Sequence, residues 1–125
     1  MDKEFSVEHR GDHIRVELSP DFEVIPEQQD AFWNRLRAAC DKHDTRRVLI
    51  EGVVPGGERT PTEVMEAGQR TAAIPNLWLA FCLEDFVPTE TSELFEVVAA
   101  SKGVRVKFFS ETAHALSWLR NNAAS

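Results

Sequence analysis

The chain opens on alternation. Phe5 and Val7 fall on one side of a period-two run over Glu4–His9, with Glu4, Ser6 and Glu8 on the other. A second run, His13–Leu18, places Ile14, Val16 and Leu18 together. Gly11-Asp12 separates the two, and alternating runs joined by a short Gly-containing turn predict a β-hairpin. The pattern then changes period. From Pro26 onward Phe32, Trp33, Leu36, Ala39 and Cys40 recur at helical spacing, and Asp41–Thr45 reads as a polar exit. Pro26 suits a first helical turn, where its missing N–H costs nothing.

Val48–Val54 is a nearly continuous apolar run broken by Glu51 and Gly52. A run of that kind suits a strand covered on both faces, as in a parallel sheet. Thr60-Pro61-Thr62-Glu63 then carries the marks of a helix start: a threonine N-cap, proline at the first helical position and a glutamate closing a capping box. Val64, Gly68, Thr71 and Ala72 are expected to face the sheet. Leu77–Leu83 predicts another buried strand after the turn Pro75-Asn76. A third helix after Pro88 carries Leu94, Phe95, Val98 and Ala99, and Gly103 stops it. Val104–Phe109 predicts the last strand. Ser110 is expected to cap a last helix carrying Ala115, Leu116 and Leu119. The order is ββαβαβαβα, an α/β fold with a mainly parallel sheet of about five strands, an antiparallel edge from the hairpin, and four helices. A single domain over residues 1–125 is expected.

Composition narrows the function. At 42% hydrophobic and 28% charged, the chain can build a core and is not a disordered one. A net charge of -7 repels phosphate backbones and anionic lipid, so general nucleic-acid binding is not expected. No stretch approaches a membrane span, and the charged Met1–Arg10 segment does not read as a signal peptide, so a cytoplasmic location is the expectation. Cys40 and Cys82 lie in apolar patterns and read as reduced core residues; no CxxC spacing is present. His9, His13, His43 and His114 have no metal-ligand spacing and are expected at the surface or in turns. No metal or cofactor is implied.

Element order and length resemble the STAS family, the sulphate transporter and anti-sigma-factor antagonist domain, in its SpoIIAA-like branch of small stand-alone bacterial proteins. The residues that carry the resemblance are Gly103-Val104-Arg105-Val106-Lys107-Phe108-Phe109 followed by Ala113, Ala115, Trp118 and Leu119, together with Ile74-Pro75-Asn76-Leu77 and Ala80. The resemblance implies a regulatory or protein-interaction role without catalysis. It also implies a phosphorylated serine near the start of the second helix. This chain departs there: the segment reads Gly56-Gly57-Glu58-Arg59-Thr60-Pro61-Thr62, with no serine, and Thr60 or Thr62 is the hydroxyl available in its place.

Two groups of residues carry candidate chemistry. In the Gly56–Thr62 segment, Gly56 and Gly57 let backbone approach a partner or ligand closely. Arg59 adds positive charge to a helix start that attracts anions, with Thr60 and Thr62 beside it. The plainer reading is a loop and a helix cap; it is not a P-loop, because the Gly-Lys-Ser/Thr ending is missing. Glu51, Glu84 and Asp85 are the second group: if their strands are parallel neighbours, the carboxylates share one sheet edge and are placed for acid–base work or cation binding, or simply meet water. No complete acid–base–nucleophile set is legible, so an enzyme is not expected. The aromatic inventory, Trp33, Trp78, Trp118, Phe81, Phe86, Phe95, Phe108 and Phe109, reads mainly as core. The resemblance keeps open an apolar pocket for a lipid-like ligand. A regulatory protein partner leads, with a small apolar or anionic ligand as the second reading and a homodimer left open.

Overall fold

Alternation in the first two strands requires one face to be buried, and the molecule buries it. The structure is a computed structural model that describes residues 5–18, 26–53, 60–84, 87 and 89–122. Strands β1 (Phe5–Arg10) and β2 (His13–Leu18) pair antiparallel, with Phe5 opposite Leu18 and Arg10 opposite His13. Gly11 makes the turn at φ 68°, a left-handed conformation that glycine adopts without steric cost. Then follow α1 (Pro26–His43), β3 (Arg47–Val53), α2 (Pro61–Arg70) and a short 3-10 turn (Thr71–Ala73). The chain continues through β4 (Trp78–Glu84), α3 (Glu90–Ser101), β5 (Arg105–Phe109) and α4 (Thr112–Asn122). The five strands lie side by side in chain order, and β2 through β5 are parallel.

Three successive crossovers in one direction along a sheet, all of one hand, carry their helices to the same face. That face holds the larger core: Ile14 and Val16 of β2, Val48 and Ile50 of β3, and Leu79 of β4 pack with Phe32, Trp33, Leu36 and Cys40 of α1 and Ala99 of α3. The helix after β5 has no further strand to reach, and it folds back over the opposite face. There Ala115 and Leu119 of α4 cover Leu49, Ala80 and Cys82, with Trp78, Phe109, Leu116 and Trp118 around them. This explains why Val48–Ile50 of β3 reads as apolar without alternation: Val48 and Ile50 serve one core and Leu49 the other.

The boundaries follow local chemistry. Thr60 caps α2 as its sequence predicts: its hydroxyl accepts from the Glu63 N–H at 3.1 Å and its own N–H donates to the Glu63 carboxylate at 3.0 Å. A second box of the same kind starts α3, where Thr89 and Ser92 exchange bonds of 3.0 and 3.2 Å. The positive φ of Asn76 and of Gly103 marks the turns into β4 and β5. Four expectations need correction. The first helix runs through Asp41–His43, the segment read as its polar exit, because Lys42 and His43 in its last turn favour the negative helix end. Ala72 is exposed, because α2 tightens into the 3-10 turn there and rotates it off the sheet, while Val64, Gly68 and Thr71 are buried. α4 starts at Thr112, so Glu111 and not Ser110 occupies the flanking position; the Glu111 carbonyl accepts from the Ala115 N–H at 3.2 Å.

The fourth correction concerns His13, expected at the surface and in fact buried. Asp12 Oδ1 lies 2.8 Å from His13 Nδ1, and Asp12 Oδ2 accepts from Arg120 Nε at 2.8 Å, which ties the turn to the end of α4. The Asp12 carbonyl also accepts from Thr45 Oγ1 at 3.3 Å. Arg120 first, then His13, hold the Asp12 carboxyl down from 3.8 to about 2. A carboxyl depressed in the folded state stabilises above its unfolded pKa, and that stability drains away as pH falls toward the folded value. The window here is 3.8 down to about 2. Asp12 is about a third exposed, so solvent screening limits the contribution to about 1 kcal/mol. Asp12→Asn is expected to cost about that much at neutral pH and nothing near pH 2, as read by urea unfolding at both pH values.

Candidate functional site

The carboxyl end of the parallel sheet gathers most of the residues that carry candidate chemistry. All of β2, β3, β4 and β5 point their carboxyl ends the same way, so the segments leading to α1, α2, α3 and α4 leave from one edge. Thr60 and Thr62 at the start of α2, Glu51 and Glu84 near the ends of β3 and β4, and Thr89 at the start of α3 therefore share that edge. Gly56, Gly57, Arg59 and Asp85 lie outside the described residues. β4 sends its chain to α3 on one face and β5 sends its chain to α4 on the other. Neighbouring strands whose exits diverge are where open α/β sheets form ligand crevices.

Glu51 and Glu84 are on the neighbouring strands that their positions require. Glu51 pairs with Cys82 and Val53 with Glu84, so the two carboxylates sit two positions apart on the same face, about 7–8 Å at the backbone. Glu51 is already committed. Arg15 Nε of β2 donates to its Oε1, and Thr112 Oγ1 of α4 donates to its Oε2 at 2.9 Å. Arg15 also reaches Glu17 at 2.9 Å. Cys82 Sγ lies 3.5 Å from the same Thr112 hydroxyl. This network fastens the first turn of α4 to β2, β3 and β4, and both oxygens of Glu51 are used in doing so. Glu84 is exposed. The carboxylate held by Arg15 and Thr112 works as an anchor.

The start of α2 has a different character. Its capping box leaves the Thr60 hydroxyl occupied and places the Glu63 carboxylate over the first turn, where an incoming anion would otherwise sit. Thr62, one position inside the helix, is exposed. The outward face continues through Glu63, Met65, Glu66 and Gln69, all exposed, with Met65 at 43%. On the inner side the backbone of Gly68 passes so close to α3 that a Cβ there would lie 2.8 Å from Val98 Cγ1.

The remaining candidates are structural. Cys40 and Cys82 are free and buried. Burial first, with Asp41 adding to it and Arg46 opposing, pushes the Cys40 thiol up to about 11, which keeps it an unreactive thiol at neutral pH. Among the described residues, no group of three or more His, Cys, Asp or Glu is placed to hold a metal ion, and no helix is long and apolar enough to cross a membrane. Trp78 and Trp118 are half-buried and pack at 5.2 Å between β4 and α4, while Trp33 is buried in the larger core.

Sequence reasoning missed a second surface. Val7, Glu8, His9 and Ile14 of the hairpin and Arg35, Ala38, Ala39, Lys42 and His43 of α1 line an open groove of about 360 Å³. The His9 and His43 rings stack across it, 3.9 Å apart and 8° from parallel. The i, i+4, i+7 spacing of Arg35, Ala39 and Lys42 was visible as one helix face, but nothing in the sequence brings that face to β1. No family model matches the chain, and no curated protein or solved structure matches it.

Proposed function

We propose that the chain is a non-catalytic regulatory or protein-interaction domain of the STAS-like kind, acting through α2 and the Gly56–Thr62 segment. The exposed outward face of a rigidly held α2 carries this reading. α2 is fixed at its start by the Thr60–Glu63 box and along its inner side by close approach to α3. A helix held in this way presents a partner with a surface that needs little ordering on contact. Met65 supplies an exposed, adaptable apolar side chain, and Thr62, Glu63, Glu66 and Gln69 form a polar surround. The element order is the one the STAS resemblance implies.

Thr62 is the better stand-in for the missing serine. Phosphate on Thr60 would break a bond that starts the helix, whereas Thr62 is exposed and its hydroxyl is not part of the box. Within the first turn a phosphate meets the positive helix end but also the Glu63 carboxylate, so phosphorylation would reset the charge of the proposed contact surface.

The test is a quantitative pull-down from the source organism's lysate, comparing the chain with Met65→Glu and with Ser117→Glu on α4. Met65→Glu is expected to lower partner recovery about tenfold, the effect of placing a charge at the centre of a contact. Ser117→Glu is expected to leave recovery unchanged. Equal recovery with all three proteins would contradict the assignment of the surface to α2.

A further inference from the structure

The groove between β1 and α1 has a charge opposite to that of the protein. The chain carries a net charge of -7, yet the groove is bordered by Arg35 and Lys42 of α1 and by two imidazoles, His9 of β1 and His43 of α1. Among the described residues, the one acidic residue lining it is Glu8. Strand alternation places Glu8 opposite to Val7 and His9, and its carboxylate pairs with Arg10 and with Arg15. Arg35 stacks its guanidinium over the Phe5 ring at 4.9 Å, which holds it beside the hairpin. β2 contributes only Ile14, which with Val7, Ala38 and Ala39 makes an apolar floor.

We propose that this groove is a binding site for a small organic anion, with the acidic group at Lys42, His43 and His9 and a compact apolar body on Val7, Ala38 and Ala39. The volume, about 360 Å³, is at the small end of the range of ligand pockets. An apolar floor with a few convergent polar groups is the usual composition of such a site. The acidic group is a carboxylate, a sulfonate or a phosphate monoester; all three offer oxygen acceptors to lysine and imidazolium donors.

The stacked imidazoles make binding depend on pH. The charged groups around the pair are Arg35 and Lys42 from α1, with Glu8 from β1 on the opposite side of the strand. Partial burial first, then the neighbouring His9 and Lys42, hold His43 below its ordinary value, so the empty groove disfavours its protonated form. A bound anion supplies the counter-charge that the pair lacks. By linkage, affinity rises as pH falls and His43 takes up its proton, and binding raises the His43 pKa by the same coupling.

Titration of isotope-labelled full-length protein with naphthalene-2-sulfonate, followed by amide chemical shifts, tests this. The sulfonate keeps its charge between pH 6 and pH 8, so any change in affinity belongs to the protein. Shifts are expected at Val7, His9, Ala38, Ala39, Lys42 and His43, with affinity about fivefold tighter at pH 6 than at pH 8. Lys42→Glu, an exposed position whose variant is checked for unchanged unfolding, is expected to weaken binding about tenfold. The neutral naphthalene-2-sulfonamide is expected to bind much more weakly. Equal binding of the sulfonamide, equal affinity at the two pH values, or shifts confined to residues outside the groove would each overturn the proposal.

Discussion

Leu36→Ala is expected to remove about 3 kcal/mol of stability and to lower the melting temperature by about 10 °C. Leu36 is completely buried at the middle of α1, inside the cluster that includes Ile14, Val48, Ile50 and Leu79. It is the side chain through which the longest helix meets the strands at the sheet centre. Truncation loses the transfer free energy of three carbons and leaves a void that α1 cannot close, because Phe32, Trp33 and Cys40 hold the helix on either side. Arg37→Ala, next along the chain but exposed and facing Asp41 at 3.8 Å, is the control, expected within about 0.5 kcal/mol of the starting protein. Urea unfolding of both variants checks the contrast. A small effect at Leu36 would mean that α1 does not pack as described.

Gly68→Leu is expected to cost about 3 kcal/mol, and even Gly68→Ala is expected to destabilise. The sign is the informative part. Glycine inside a helix is ordinarily about 1 kcal/mol worse than alanine, so an exposed position would gain from the change. At Gly68 a Cβ would meet Val98 Cγ1 at 2.8 Å and Val98 Cβ at 2.9 Å, with the Phe95 carbonyl at 3.4 Å. The near Val98 atom is the branched Cβ, which cannot swing away without moving α3. Overpacking of about 1–3 kcal/mol therefore outweighs the helical gain. Val98→Ala beside Gly68→Ala removes the Cγ1 contact but keeps the Cβ contact at 2.9 Å, so it is expected to recover only part of the loss, a coupling that a double-mutant cycle reads directly. Stabilisation by Gly68→Ala alone would show that α2 and α3 stand farther apart.

Much of the fold was legible because its markers are local. Gly11-Asp12 between two alternating runs, the Thr60–Glu63 box and the Gly103 stop each act over a few residues, and each occurs where the sequence places it. The apolar run Val48-Leu49-Ile50 also announced a strand covered on both faces. What it could not announce was which helix covers which face: that depends on strand order, and it is α4 that lies against Leu49. The misread residues are those whose partners are distant in the chain. His13 is buried beside Asp12, whose carboxylate is tied to Arg120 on the last helix. Glu51 reads in sequence as a strand-end carboxylate placed for chemistry or simply meeting water, and its bonds to Arg15 and Thr112, from elements distant in the chain, are not legible there. The groove escaped for the same reason, since His9 and His43 meet only when α1 lies along β1.

The proposed role rests on α2 as the surface that meets a partner. A photo-crosslinking amino acid at Met65, with a second protein carrying it at Ser117, tests this most directly. The account predicts that irradiation in lysate joins the Met65 protein to one dominant partner, that unlabelled chain competes the adduct away, and that Ser117 yields no such adduct. Crosslinking at Ser117 with none at Met65, or no competed adduct at either position, would contradict it.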